Sequence, residues 1–407
     1  MKIKKVRIST LLLYLTVFIP YIRILPINSD TQPNALIISF MIAFVYITVR
    51  NEKIPKEIYP IIFVLLVASS VTLFGGISNN DIRSLTGYIS AFLITLATYF
   101  VMKNEKSINI SLLKKIIVIW GIVGIIQTVY PSFLSSIVAR MSTTQNRGVT
   151  SLAPEPTFYA TIMFFIAISF ILFSKKKKEK ILWVGICLVQ IIFLAKSAMI
   201  AFVVGIIIIV AILENLLKKW NVKRLIITIL FIGISIFSVI IINNSISDLR
   251  IVVSLQQIID DPMLYFRTDA SANDRLSAIV LSFRGSFENY FIPNGFNSWQ
   301  NYESLAKASS NFFWYGRSTR IMSMYGAIIY EMGIIGLIVP LLLNVWLIRF
   351  LKSKHYIGNR WYVIFSINLI CFTAIPLATP FIGYLLGALL YFNKKTLQNK
   401  KEMVTYE

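Results

Sequence analysis

Long apolar runs separated by short charged connections repeat along almost the whole chain. A helix needs about 20 mostly apolar residues to cross the hydrocarbon core of a bilayer. Twelve segments read that way: 8–27, 34–50, 58–77, 85–102, 115–131, 156–174, 181–196, 198–213, 225–243, 322–343, 361–377 and 379–393. Two connections between them are long, at about 131–155 and 244–321. The second has apolar and aromatic content, "LRIVVSLQQII" and "RLSAIVLSF", so it is expected to fold instead of staying disordered. Within it an amphipathic helix is expected over 274–289. Ser271 or Asn273 would cap it, and Leu276, Ile279, Val280 and Phe283 would form one face, along the membrane surface or over the bundle.

Composition agrees with this pattern. Of the 407 residues, 57% are hydrophobic and 14% charged, against about a quarter charged in soluble domains. The reading is an all-α polytopic integral membrane protein in three parts: 1–243 with nine spans, 244–321 as a large extracytoplasmic loop, and 322–407 with three spans and a basic tail. The N-terminal segment lacks a small-residue cleavage site and reads as an uncleaved first span. Cys187 and Cys371 fall inside spans and imply neither a disulfide framework nor a metal site.

A net charge of +22 could indicate nucleic acid, but the positions of the charges argue otherwise. Most of the 40 basic residues fall in alternate connections, from "MKIKKVR" through "KKKKEK" to the tail. That is the positive-inside pattern and puts both termini in the cytoplasm. The opposite face carries Arg23, Arg83, Arg140, Arg147, Arg250, Arg267, Arg275, Arg284, Arg317 and Arg320, against only Lys196 and Lys307. Arginine replaces lysine where a planar fork must hold a carboxylate or phosphate at two points. An anion site at the outer membrane surface is therefore expected, with pairing to local acids as the alternative. Arg317 and Arg320, three apart, could face one point, and so could Arg140 and Arg147 if their loop is helical. Glu331 is the clear charge within a span, and no internal repeat is evident, which counts against an ion-coupled pump.

Four patches, in order, resemble bacterial polysaccharide polymerases of the O-antigen polymerase family. They are "RGVTSLAPEPTFYA" at 147–160, "FLAKSAMIAFVVG" at 193–205, Arg284 with Gly295 after ten intervening residues, and "MYGAIIYEMGIIGLIVPLLL" at 324–343. The second departs from the family pattern, with Lys196 before Ser197 in place of an arginine after the serine. The resemblance implies a GT-C-like glycosyltransferase without metal or other cofactor. It would act on polyprenyl-diphosphate-linked oligosaccharides at the outer face of the bacterial cytoplasmic membrane, with a chain-length regulator protein left open as a partner. Catalytic roles are then expected for Glu155, Arg147 and Arg284, diphosphate binding for Arg140, Arg147, Lys196, Arg275, Arg284, Arg317 and Arg320, and sugar contact for Tyr159 and Tyr315. Each has a plainer alternative: a loop-anchoring pair for Arg147 with Glu155, a surface pair with Glu288 for Arg284, and an interfacial aromatic for each tyrosine. The only histidine, His355, falls in a basic connection, which argues against a histidine-dependent ligase. The rival functions are such a ligase, a flippase of lipid-linked sugars, and a non-enzymatic envelope-assembly protein.

Overall fold

A computed structural model of the chain describes residues 7–24, 32–75, 79–138, 141–142, 148–218, 250–310, 312–316, 320–353 and 361–404. The α-helices among them are α1 (Ile8–Phe18), α2 (Asn34–Phe44), α3 (Tyr59–Gly75), α4 (Asn79–Glu105), α5 (Ile110–Val129), α6 (Pro156–Phe173), α7 (Lys177–Val189), α8 (Ala198–Lys218), α9 (Arg250–Asp260), α10 (Pro262–Thr268), α11 (Ala270–Glu288), α12 (Trp299–Ala308), α13 (Met324–Gly336), α14 (Ile338–Lys352), α15 (Trp361–Thr373) and α16 (Pro380–Val404). Among the described residues there is no strand, only an isolated antiparallel bridge between Ile22 and Val138.

Among the described residues, four helical stretches are long and apolar enough to cross a membrane: Lys56–Leu73, Ile82–Glu105, Ile110–Val129 and Pro156–Phe173. A fifth would be the pair α13 and α14, which meet at 92°. The spans expected at 8–27, 34–50, 198–213 and 361–377 contain shorter apolar helices, and the one at 225–243 lies outside the described residues. Helix α5 shows why the apolar runs are so continuous. Its Leu113, Ile117, Trp120 and Gln127 are buried in the bundle, while Val118, Ile122, Ile125 and Val129 on another face stay exposed. A helix apolar on both sides has protein on one and lipid on the other.

Helix α6 is buried along nearly its whole length at the centre of the bundle. Among the described helices, the most extensive packing is between α4 and α16. A Cβ added to Gly387 would fall 2.4 Å from the Thr95 carbonyl oxygen, so only glycine lets the two backbones approach this far. With Gly383 it forms the small-x-x-x-small spacing that close helix pairs in membranes use.

Ion pairs gather at one end of the bundle: Arg7 with Glu105, Lys103 with Glu52, Lys114 with Glu179, and Lys394 with Glu57. These residues come from the connections that the charge pattern assigned to one common side. Elsewhere, links between segments include hydrogen bonds such as Arg23 N–H to the Ile137 carbonyl at 2.8 Å and Val149 N–H to the Leu194 carbonyl at 2.9 Å. The 250–316 region has its own pairs, Arg284 with Glu288 and Lys307 with Glu303.

Three expectations are corrected. The cap of α11 is Asp269, whose Oδ1 accepts from Ala272 N–H at 2.9 Å, so the helix starts four residues early. Leu276, Ile279 and Phe283 are partly buried, with Phe283 against Phe372 at 5.4 Å. The more deeply buried face is the small-residue side, where Ala278 and Leu281 share a second core with Trp299, Ala306, Ala327 and Tyr330. Asn273 is not a cap but a buried tie, donating to the Phe266 and Phe313 carbonyls and accepting from Tyr315 N–H, each at 2.8 Å. Third, 322–343 is not one straight span. Gly333 has φ +57°, and a Cβ there would lie 2.1 Å from the Phe291 carbonyl oxygen.

Replacing Gly387 with alanine forces α4 and α16 apart and should destabilise by about 1–3 kcal/mol, the usual range for overpacking. Gly205→Ala, with nothing within 4 Å of the new methyl, is the control. Thermal melts in detergent should show a lower midpoint for Gly387→Ala and no loss for Gly205→Ala.

Candidate functional site

The loop at 148–155 is fixed by a single buried amide. Gln127 on α5 donates to the Phe133 and Ser151 carbonyls, both at 2.9 Å, and its Oε1 accepts from Ser151 N–H at 2.6 Å and from the Thr150 hydroxyl. Ser151 has φ +52° and its hydroxyl donates to the Trp120 carbonyl at 2.8 Å. Bulky apolar surroundings leave these polar groups no water, so each must find a protein partner.

That loop lies against a second break. A π-helical turn, Gln190–Leu194, continues α7, and the chain then turns at Lys196, φ +46°, before α8. A Cβ on Gly148 would overlap the Ala195 carbonyl oxygen at 2.2 Å. The two motif patches at 147–160 and 193–205, separate in the chain, are thus one piece of structure. Tyr159 completes the joint: its hydroxyl donates to Gln190 Oε1 at 2.7 Å and its ring stacks on Trp120 at 5.2 Å.

A cavity of about 310 Å³ opens beside this joint. Three helix starts line it: Pro156 and Thr157 of α6, Ser197, Ala198 and Met199 at α8, and Asp269, Ser271 and Ala272 at α11. Helix N-termini carry unpaired N–H groups and about half a positive charge, which favours anions. Lys196 and Arg275 add full charges, and Arg275 is only 9% exposed. Ser197 is 5% exposed, and its hydroxyl has no hydrogen-bond partner among the described residues. Asp269 brings one negative charge. The remaining wall is mostly apolar, from Phe202, Val203, Ile206, Ile258, Leu276, Ile279 and Leu369, with Tyr265 and Phe266 as aromatics and Ser254 and Thr373 as hydroxyls.

The expected site residues separate clearly. Lys196 and Arg275 line the cavity, and Glu155 is half-buried directly before its α6 wall, with no side-chain cap hydrogen bond. Arg140, Arg147 and Arg317 lie outside the described residues. Arg284 is nine residues after Arg275, about half a turn round α11, so the two face opposite ways. It is half-exposed and paired with Glu288 at 2.8 Å, which is the surface alternative. The Tyr302 hydroxyl, then Arg284, hold the Glu288 carboxyl below the usual range, and burial beside Glu288 raises Tyr302. Arg320 precedes α13 in non-helical chain and does not line the cavity, so helical spacing does not aim it there. Tyr159 is fully buried and offers no face to a sugar, because Trp120 and Gln190 occupy it. Tyr315 is tied into the loop: its hydroxyl donates to the Thr268 carbonyl at 3.2 Å and its own carbonyl accepts from Lys307 Nζ at 2.7 Å. Among the described residues, no group of three or more His, Cys, Asp or Glu side chains gathers as a metal-binding cluster would.

The sequence reading missed Ser197, Asp269, Ser271 and Thr157 as site residues. Their signal was position at helix starts, which becomes informative only when several starts meet.

Gln127→Leu should strand the Ser151 amide and carbonyl, at about 1–3 kcal/mol for each buried group left unpaired. Hydrogen exchange at the Ser151 amide should accelerate by at least tenfold, while that of α6 stays slow. No protein-family model matches this chain, and no curated protein matches it either.

Proposed function

We propose that the protein is a membrane glycosyltransferase that polymerises oligosaccharide repeat units carried on a polyprenyl diphosphate. The observation that supports this best is the meeting of three helix N-termini, Lys196 and Arg275 on one cavity whose other walls are mostly apolar. Such a cavity suits an amphipathic anion: a charged head at the helix starts and a hydrocarbon stem along Phe202, Ile206, Leu276 and Ile279. At about 310 Å³ it is at the small end of ligand pockets. It takes a diphosphate and the first part of a tail, with the rest of the tail in lipid.

In this reading the chain has about twelve spans in a GT-C-like arrangement in a bacterial cytoplasmic membrane, with both termini in the cytoplasm. The acceptor hydroxyl of a new lipid-linked unit attacks the anomeric carbon of the growing glycan. The bond from that carbon to the diphosphate breaks, and its electron pair leaves on the diphosphate oxygen. Lys196, Arg275 and the N–H groups at α6 and α8 stabilise that charge as it develops. Donors placed this way are each worth about 10²–10³ in rate. Glu155 takes the hydroxyl proton. Its carboxylate is not spent on capping α6, whereas Asp269 is already committed to Ala272. Arg284 has no part at this cavity.

The test is the size ladder of lipid-linked and surface glycan in cells carrying single variants. Arg275→Ala and Lys196→Ala should each cut chain extension by about 100-fold or more and leave single lipid-linked units in place. Arg275→Lys should lose most of the activity as well, because a point charge replaces the fork. Arg284→Ala should keep normal length. Full-length polymer in both Arg275→Ala and Lys196→Ala would overturn the reading. Long polymer stranded on the carrier would favour a ligase instead.

A further inference from the structure

The turn after α11 reads "FENYFIPNG", residues 287–295, and beyond Glu288 it contains no charge. Its apolar side chains point outward: Tyr290 is 85% exposed and Phe287 72%, with Ile292 exposed as well. Tyr290 and Phe291 both sit in the left-handed region, at φ +51° and +58°, a conformation bulky side chains avoid. The turn is over-determined all the same. Phe291 N–H donates to the Ser286 carbonyl at 2.7 Å, Tyr290 N–H to Phe287 at 3.0 Å, and Ile292 N–H to Asn289 at 2.9 Å. Exposed aromatics held this rigidly need an apolar surrounding.

Geometry gives the depth of that surrounding. Helix α14 has 15 residues and ends in the basic residues Arg349 and Lys352. At 1.5 Å per residue it rises about 22 Å from its basic end, within a hydrocarbon core of about 30 Å. Its other end, Ile338, therefore lies inside the leaflet remote from Lys352. There the chain bends by 92°, so with α14 along the membrane normal, α13 runs near the membrane plane. The turn is fastened to this bend: the Phe291 carbonyl accepts from Ile334 N–H at 3.0 Å, Asn294 N–H donates to the Tyr330 carbonyl at 3.1 Å, and Gly295 N–H to Glu331 at 3.3 Å. Ile334 beside it is 66% exposed, continuing the same apolar surface.

We propose that the turn Phe287–Ile292 is a lipid-inserted wedge. Phe287, Tyr290 and Ile292 enter the leaflet remote from Lys352, beside the α13–α14 bend, and fix α11 at that depth. Arg284, one turn back on α11, pairs with Glu288 of the turn itself at 2.8 Å and so neutralises the one charge the wedge carries. Since Arg275 and Asp269 sit on the same helix, the wedge sets the height of the cavity's charged wall relative to the bilayer. The proposal rests on the membrane reading and not on the glycan chemistry.

The native Cys187 and Cys371 are both fully buried, so introduced thiols can be labelled selectively. Phe287→Cys and Tyr290→Cys would each be spin-labelled in the full chain in phosphatidylcholine vesicles. Ile122→Cys on the exposed apolar face of α5 serves as the lipid reference and Asn301→Cys as the water reference. Collisions with oxygen, which concentrates in the bilayer, should exceed collisions with a water-soluble nickel chelate at both wedge sites, as at Ile122. Nickel-dominated collisions at 287 and 290, with Ile122 still oxygen-dominated, would overturn the wedge. So would labels immobilised and shielded from both reagents, which would mean a second copy or another protein covers the turn. Nickel access at Ile122 too would remove the membrane reading itself, and the wedge with it.

Discussion

A helix that stops inside an apolar bundle leaves backbone N–H and C=O groups with no water to bind, and each such group costs several kcal/mol unless protein satisfies it. This chain breaks its helices at three such places and pairs each break with a segment from elsewhere. Gln127 holds the loop at 148–155. Val149 meets the Leu194 carbonyl at the break before α8. Phe291, Asn294 and Gly295 meet the bend between α13 and α14. The need to satisfy these groups brings together stretches 24 to 45 residues apart in sequence.

The candidate site follows from the same constraint. Breaking and restarting helices puts N-termini inside the molecule, and N-termini are the positive ends of helices. Where α6, α8 and α11 begin around one cavity, three such positive ends meet, with Lys196, Arg275 and Asp269 beside them. Burial separates the two arginines of α11. Arg284 keeps its water and a surface carboxylate, so its electrostatics are weak and screened. Arg275 has lost most of its water and interacts in a medium of lower dielectric, where a bound anion is worth far more.

Much of this was legible in the amino-acid order. Apolar runs located α3, α4, α5 and α6 because each of these helices is long and carries few charged residues, whether it is largely buried, as α6 is, or partly exposed, as α5 is. The charged connections identified which helix ends share one end of the bundle, as the pairs Arg7–Glu105 and Lys394–Glu57 bear out. Both patches around the cavity, at 147–160 and 193–205, were conspicuous as sequence.

What the order could not decide was direction. Helical period fixes how residues sit relative to one another on α11, but not which face meets the bundle. Ala278, Ser282 and Gly285 pack inward because small side chains allow close approach to α13, while the larger Val280 stays outside. That choice turned Arg275 in and Arg284 out. It was likewise tertiary packing that sank Tyr159 against Trp120 and moved the cap of α11 back to Asp269. Bending the 322–343 run at Gly333 was a tertiary outcome as well. The hydrophobic content of a segment determines that it is buried or in lipid. The partners of its polar atoms, which come from distant parts of the chain, determine where it turns and what it faces.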